Sequence, residues 1–186
     1  MTDSLKYSLG IFILIIGVYL FTQSSQKAHI VTGSPIFNGN SENVYRVKIT
    51  DGAQSIELIK SDSTWSILNI DSMVVKSQQI DNLFNRLLKV QQEVLISTSE
   101  TKQEKFGVYD SLGRHIEVFD ENDTELLHYI FGNTGQDYQH NYIRQYDKFE
   151  IYRTNDNVFF LLNTTSTYWG DVPPKPTLDV STTNDN

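Results

Sequence analysis

The sequence predicts an α+β fold: a largely antiparallel, twisted sheet of β-hairpins and a meander, packed on one main amphipathic helix, with an N-terminal membrane helix ahead of it. Three observations lead there. Alternating apolar and polar residues flank turn-forming pairs at several places along the chain. A single stretch, Ser77 to Gln91, carries apolar residues at helical spacing. An apolar run from Tyr7 to Phe21 is interrupted only by Ser8, Gly10 and Gly17.

That run, about 15 residues, is short for a spanning helix, which usually takes about 20. It also has the length of a signal-peptide core behind Lys6, but no A-x-A cleavage pattern follows it in "TQSSQKA". A buried core helix is the third reading, and the lack of a polar face counts against it. An uncleaved anchor over residues 1–22 is the reading taken, with a cleaved signal as the alternative. Lys6 and the α-amino group favour the N-terminus inside, which makes a single-pass protein of the inner (cytoplasmic) membrane with its C-terminal domain extracytoplasmic. Residues 23–43, with "TGSP" and "NGNSEN", read as a polar linker. Residues 44–170 form a single domain, and 171–186 a Pro-rich tail.

Within the domain, "VYRVKITDGAQSIELIK" holds Asp51-Gly52 between two alternating runs, a strong hairpin signal. Pairing outward from that turn sets Val47 opposite Ile56 and Tyr45 opposite Leu58, with Arg46 meeting Glu57 on the other face. A second turn at Ser61-Asp62 sets Trp65 beside Leu58 and Ile67 beside Ile56, making a meander with one apolar face. The helix that covers it presents Ile80, Leu83, Phe84, Leu87 and Leu88 on one side and Asp81, Asn85, Arg86 and Lys89 on the other, with Ser77 as N-cap. "EVLIS" is a further strand, and Ser99 caps a helical turn closing on Phe106. "GRHIEVFDENDTELLHYIF" turns at Asn122-Asp123, so that Ile116 and Val118 pair with Tyr129 and Leu127. "NYIRQYDKFEIYR" turns at Asp147-Lys148. "NDNVFFLLN" is a short helix capped by Asn155 or Asp156, with Phe159, Phe160 and Leu162 buried.

Composition narrows the function. The formal net charge is −8, from 23 acidic and 15 basic residues, which opposes non-specific nucleic-acid binding because that requires clustered cations. The chain has no cysteine, so disulfides, thiolate metal sites and Cys nucleophiles are excluded. Gly132-Asn133-Thr134-Gly135 lacks the following helix and Lys of a phosphate loop, and reads as a strand connection. Ser99 to Lys102 matches S-x-x-K without the S-D-N and K-T-G strings that would give it meaning.

The strongest chemical constellation is His115, Glu117 and His128. Cross-strand pairing sets Glu117 opposite His128, with His115 two residues along on the same face. Two imidazoles and a carboxylate there suit zinc or acid–base work. The plainer reading is a cross-strand Glu–His pair on a partly covered outer face, and it is the one taken: no metal or other cofactor is expected. On the third hairpin Tyr142, Arg144 and Tyr146 share a face with Phe149, Ile151 and Arg153. Aromatic residues interleaved with Arg suit partner recognition, which makes Tyr142, Arg144, Tyr146 and Arg153 candidate partner-binding residues, but plain cation–π packing between strands is the preferred reading.

"STWSI", "IDNLFNRLL", "KFGVYDSLGRHIEVFD", "YIFGN", "YIRQYDKFEIY", "NVFFLL" and "YWGDVPP" together resemble the bacterial domain-of-unknown-function 4340 family, over Val44 to Pro174. Phe106-Gly107-Val108 leading into Leu112-Gly113 and a strand is the most specific element. The resemblance implies a single N-terminal membrane helix, a place beside gliding-motility-type ABC transport systems, and no catalytic residues to carry over. The expectation is therefore a membrane-anchored, extracytoplasmic, non-enzymatic module of the bacterial envelope, an accessory to an ABC-type transporter. The alternatives are an envelope hydrolase using His115, Glu117 and His128, or a small-ligand or glycan-binding domain.

Overall fold

Turn chemistry builds the sheet from local pieces. The computed structural model describes residues 11–17, 19, 30–135 and 137–173. Strands β1 (Ile30–Pro35), β2 (Arg46–Asp51), β3 (Gln54–Ser61), β4 (Thr64–Ile67), β6 (Gln91–Ser97), β7 (Arg114–Phe119), β8 (Glu125–Thr134), β9 (Asn141–Gln145) and β10 (Ile151–Thr154) form one nine-stranded sheet in the order β1-β6-β10-β9-β8-β7-β2-β3-β4. Every neighbouring pair is antiparallel. A separate two-stranded ladder joins β5 (Val74–Val75) to β11 (Gly170–Asp171). With its few helices, this is the α+β architecture expected.

The first two turns sit one residue later than the sequence suggests. Val47 faces Leu58 and Ile49 faces Ile56, so the β2–β3 turn is Gly52-Ala53. Gly52 has φ +56°, and glycine at the first central position is what a type II′ turn requires. Pairing outward from Asp51-Gly52 is therefore off by two residues in register, which leaves every side chain on its expected face. Arg46 accordingly still reaches Glu57, at 3.2 Å, as a diagonal neighbour. The β3–β4 turn behaves alike: Leu58 faces Ile67 and Lys60 faces Trp65, with Asp62 at φ +54°. The pairing of Ile116 with Tyr129 and Val118 with Leu127 is as expected, as is the β9–β10 register, where Arg144 faces Ile151 and Tyr142 faces Arg153.

Helix α1 (Ser77–Asn82) continues as a π-helical turn, Leu83–Leu87. Its N-cap position is Lys76, not Ser77, whose hydroxyl makes no cap. Leu88 N donates to Leu83 O at 2.9 Å, the wide bond of a π turn. Leu83, Leu87 and Leu88 are fully buried in the main apolar cluster with Val47, Leu58 and Ile116, and Phe84 lies against Trp65 with ring centroids 5.8 Å apart. The helix therefore covers the predicted face. Leu87→Ala is expected to lower the unfolding free energy by about 2–5 kcal/mol, the range for a buried leucine. Urea denaturation checks it, and a change below about 0.5 kcal/mol would mean that the stripe does not pack here.

Two expectations are corrected. The segment read as linker contributes β1, which pairs with β6, and two core residues, Ile36 and Phe37. Ile36 N and Phe37 N donate to Val90 O and Leu88 O, tying it to the end of the helix. The 159–161 helix is a single 3-10 turn, Phe159–Leu161, in which Leu161 rather than Phe160 is buried; Phe160 is 53% exposed. A 3-10 turn eclipses residues three apart, which rotates Phe160 outward. Asn155 and Asp156 do not cap this turn; Asn157 Oδ1 accepts from Phe159 N instead. Of the expected anchor, residues 11–17 and 19 are helical. Among the described residues no helix is long and apolar enough to cross a membrane. The rest of the anchor and residues 174–186 of the expected tail lie outside the described residues.

The second face of the sheet carries its own cover. After a 3-10 turn, Glu100–Lys102, helix α2 (Gln103–Phe106) ends at Gly107, φ +68°. Val108 then packs on Ile130 and Ile151 with Phe106 and Tyr142. Gly132 permits the approach: a Cβ there would sit 2.7 Å from the Gly107 carbonyl carbon and nearer still to the Phe106 oxygen. Gly132 thus serves a backbone contact, and the stretch read as a strand connection is for the most part the end of β8, with only Gly135 beyond it.

Candidate functional site

The outer face of β7 and β8 brings His115, Glu117 and His128 together, as the sequence suggests. Glu117 pairs across the ladder with His128. His115 Nδ1 lies 3.0 Å from His128 Nε2, and His115 Nε2 lies 2.7 Å from the Asp110 carbonyl oxygen. A carbonyl can only accept, so His115 Nε2 carries the proton. In neutral His115, Nδ1 then accepts from His128 Nε2–H, and His128 Nδ1 is left with a lone pair. Tyr146 stacks on the His128 ring at 4.1 Å with the planes 6° apart. Burial, the largest influence, pushes the His128 pKa below the usual histidine value. Glu117 opposes that shift, His115 adds to it, Asp110 opposes it, and Lys48 adds to it.

Glu125, which the sequence does not single out, joins this group. Its Oε2 lies 3.8 Å from His128 Nδ1. Strand alternation alone would send Glu125 to the core face with Leu127 and Tyr129. The register shifts between Val118 and Phe119, however, so that Phe119 faces Glu125 and Leu126 is left unpaired. This bulge turns Glu125 toward Glu117 and His128. Donor atoms of Glu117, Glu125 and His128 all lie within 4.8 Å of one another. Lys48 Nζ holds one Glu117 oxygen at 3.1 Å. Asp120 fixes the turn that precedes the bulge, its Oδ1 accepting from Asn122 N and Thr124 N at 2.9 and 2.8 Å.

The four candidate partner-binding residues are placed differently. Arg144 is 3% exposed, so its reading as a contact residue is corrected. Its Nε donates to Val108 O at 3.0 Å, its Nη1 to Tyr146 O and Lys148 O at 2.6 and 3.0 Å, and its Nη2 to the Asp110 carboxylate. The cause is the 106–110 segment, which folds back over this face. Tyr142 is half-buried against Phe106, ring centroids 4.6 Å apart. Arg153 is half-buried and pairs with Glu93 at 2.7 Å. Tyr146 is 46% exposed, and Phe149 beside it on the loop is 54% exposed.

A groove of about 560 Å³ lies beside the sheet edge at β4, lined by Trp65, Met73, Val74 and Ile80 together with Ser63 and Asp81. No protein-family model, no curated protein and no solved structure matches this chain.

Proposed function

We propose that the chain is a membrane-tethered, extracytoplasmic, non-enzymatic module, acting as an accessory to a membrane assembly of the ABC-transporter type. One observation carries the tether. Residues 11–17 are helical, and Ile11, Phe12, Ile13, Leu14, Ile15 and Ile16 are 41–66% exposed. Consecutive residues point all round a helix, so no single protein groove would shelter them, and each large apolar side chain gains about 1.5–3 kcal/mol by leaving water. A lipid environment accepts every side at once. The resemblance carried by Phe106-Gly107-Val108 and Leu112-Gly113 supports the transporter association.

A tether confines the domain to a surface and raises its effective concentration toward membrane partners. The full-length chain is expected in the membrane fraction, resistant to carbonate washing, and to crosslink to a membrane protein. Leu14→Arg with Ile15→Arg should release it, since each arginine costs about 2.5–3.5 kcal/mol at the centre of a spanning helix. Recovery of the uncleaved wild-type chain in the soluble fraction would refute the tether. Membrane-bound chain that crosslinks to nothing would refute the accessory role.

The second reading is a small-ligand or glycan-binding domain, favoured by the groove under Trp65. Its volume lies in the range of ligand sites, and a lining that combines Trp65, Met73 and Ile80 with Ser63 and Asp81 matches the mix of apolar wall and polar anchors that such sites use.

A further inference from the structure

We propose that His128, Glu117 and Glu125 bind one divalent transition-metal ion, with His115 as the residue that positions His128. The donor set is one imidazole nitrogen and two carboxylate oxygens, which suits zinc and its first-row neighbours. The three atoms already converge to within 4.8 Å. Ligands about 2.1 Å from a tetrahedral ion stand roughly 3.4 Å apart, so the site must close a little. Glu125 can supply that movement, because its side chain is half exposed at the start of β8.

The hydrogen-bond chain behind His128 separates this arrangement from a chance cluster. Histidine ligands characteristically donate their second ring N–H to an acceptor, which fixes the tautomer and aims the free nitrogen. Here His128 Nε2–H meets His115 Nδ1 at 3.0 Å, and His115 is itself anchored on the Asp110 carbonyl at 2.7 Å. Stacking on Tyr146 holds the ring plane. The nitrogen left unprotonated, Nδ1, is the one that faces Glu125.

Charge points the same way. Two carboxylates and a lone pair converge, with Lys48 offsetting one negative charge through a single Glu117 oxygen. Glu117, Glu125 and His128 Nδ1 remain as donors around a net negative centre, which a dication would stabilise. Three protein ligands leave at least one position open to water or to a ligand. The inference does not depend on the membrane tether.

The test uses the full-length chain in detergent, stripped with chelator and titrated with zinc at neutral pH by calorimetry, with metal content measured after dialysis. One zinc per chain is expected, and cobalt in its place should give a visible absorption band. Glu125→Gln and His128→Ala should each abolish stoichiometric binding. His115→Ala should weaken it about 10–100-fold while circular dichroism and metal-free stability stay unchanged. His140→Ala, at the separate His140–Asp137 pair (3.2 Å), should leave binding intact. Absence of stoichiometric zinc overturns the proposal, as does full binding by folded Glu125→Gln or loss of zinc on His140→Ala. If His128→Ala fails to fold, Glu125→Gln decides, since its half-exposed side chain has little structural weight.

Discussion

Trp169→Ala is expected to lower the unfolding free energy by about 3–5 kcal/mol, the cost of emptying a large buried aromatic site. Trp169 is 1% exposed and is among the largest fully buried side chains. Its surroundings hold it from several sides. The indole Nε1 donates to Asn163 O at 2.6 Å, and Tyr168 packs edge-on at 5.1 Å. The Trp169 carbonyl accepts from Lys76 N at 2.8 Å, at the start of the main helix. The next two residues form the ladder with Val74 and Val75. The side chain thus pins the C-terminal part of the domain over the helix end of the core. Trp169→Phe keeps most of the ring but strands the Asn163 carbonyl, and should cost about 1–3 kcal/mol. Urea denaturation of both variants separates packing from hydrogen bonding; equal losses would mean that the hydrogen bond dominates.

Arg144→Ala should destabilise by about 3 kcal/mol, and it should do so as a folding defect. Removing one member of a buried ion pair typically costs 3–5 kcal/mol. The lower end applies because Asp110, with 53% of its side chain exposed, can be re-solvated. The carbonyls of Val108, Tyr146 and Lys148 would lose a donor together. Lysine cannot replace the planar fork, so Arg144→Lys should recover less than half of the loss. Tyr146→Ala, in contrast, is expected to stay within about 1 kcal/mol, as for a partly exposed side chain. A folded Arg144→Ala chain with a change below about 1 kcal/mol would show that the guanidinium is dispensable to the fold and would return it to the list of contact residues.

Much of the fold was legible because it is written in local chemistry. The faces of β2, β3 and β4, the burial of Leu83, Leu87 and Leu88, and the pairing of Glu117 with His128 all follow from periods of two and 3.6 residues. The positions of the first two turns were not legible: Gly52 serves as the first central residue as readily as the second, and a slip of two residues changes no face. The candidate site was half legible. His115, Glu117 and His128 follow from alternation, while Glu125 depends on a bulge that alternation cannot contain. Arg144 was misread because its burial comes from residues 106–110, which return over the sheet through contacts remote in sequence. β1 was hidden for a similar reason. "TGSP" has the composition of a loop, and its strand exists only because β6 offers a free edge.

The sheet order has a kinetic consequence. β2–β3–β4 and β7–β8–β9–β10 are runs of near neighbours, each closed by short turns, and they meet at a single seam where Ile49 faces Ile116. Hairpins of this kind form in roughly 1–10 μs, whereas the seam must first close the long intervening loop before its contacts return any free energy. A chain in which only the hairpins had formed would hold two half-built sheets whose inner edges, β2 and β7, are bare. Those edges match each other, and so they equally match the edges of another copy caught at the same stage. The Lys48–Glu117 and Arg114–Asp51 pairs, at 3.1 and 2.7 Å, cross this seam and reward only the native alignment. They select the native register of the seam over a shifted one, and they would do so equally whether β2 and β7 belong to one chain or to two copies that have exchanged halves.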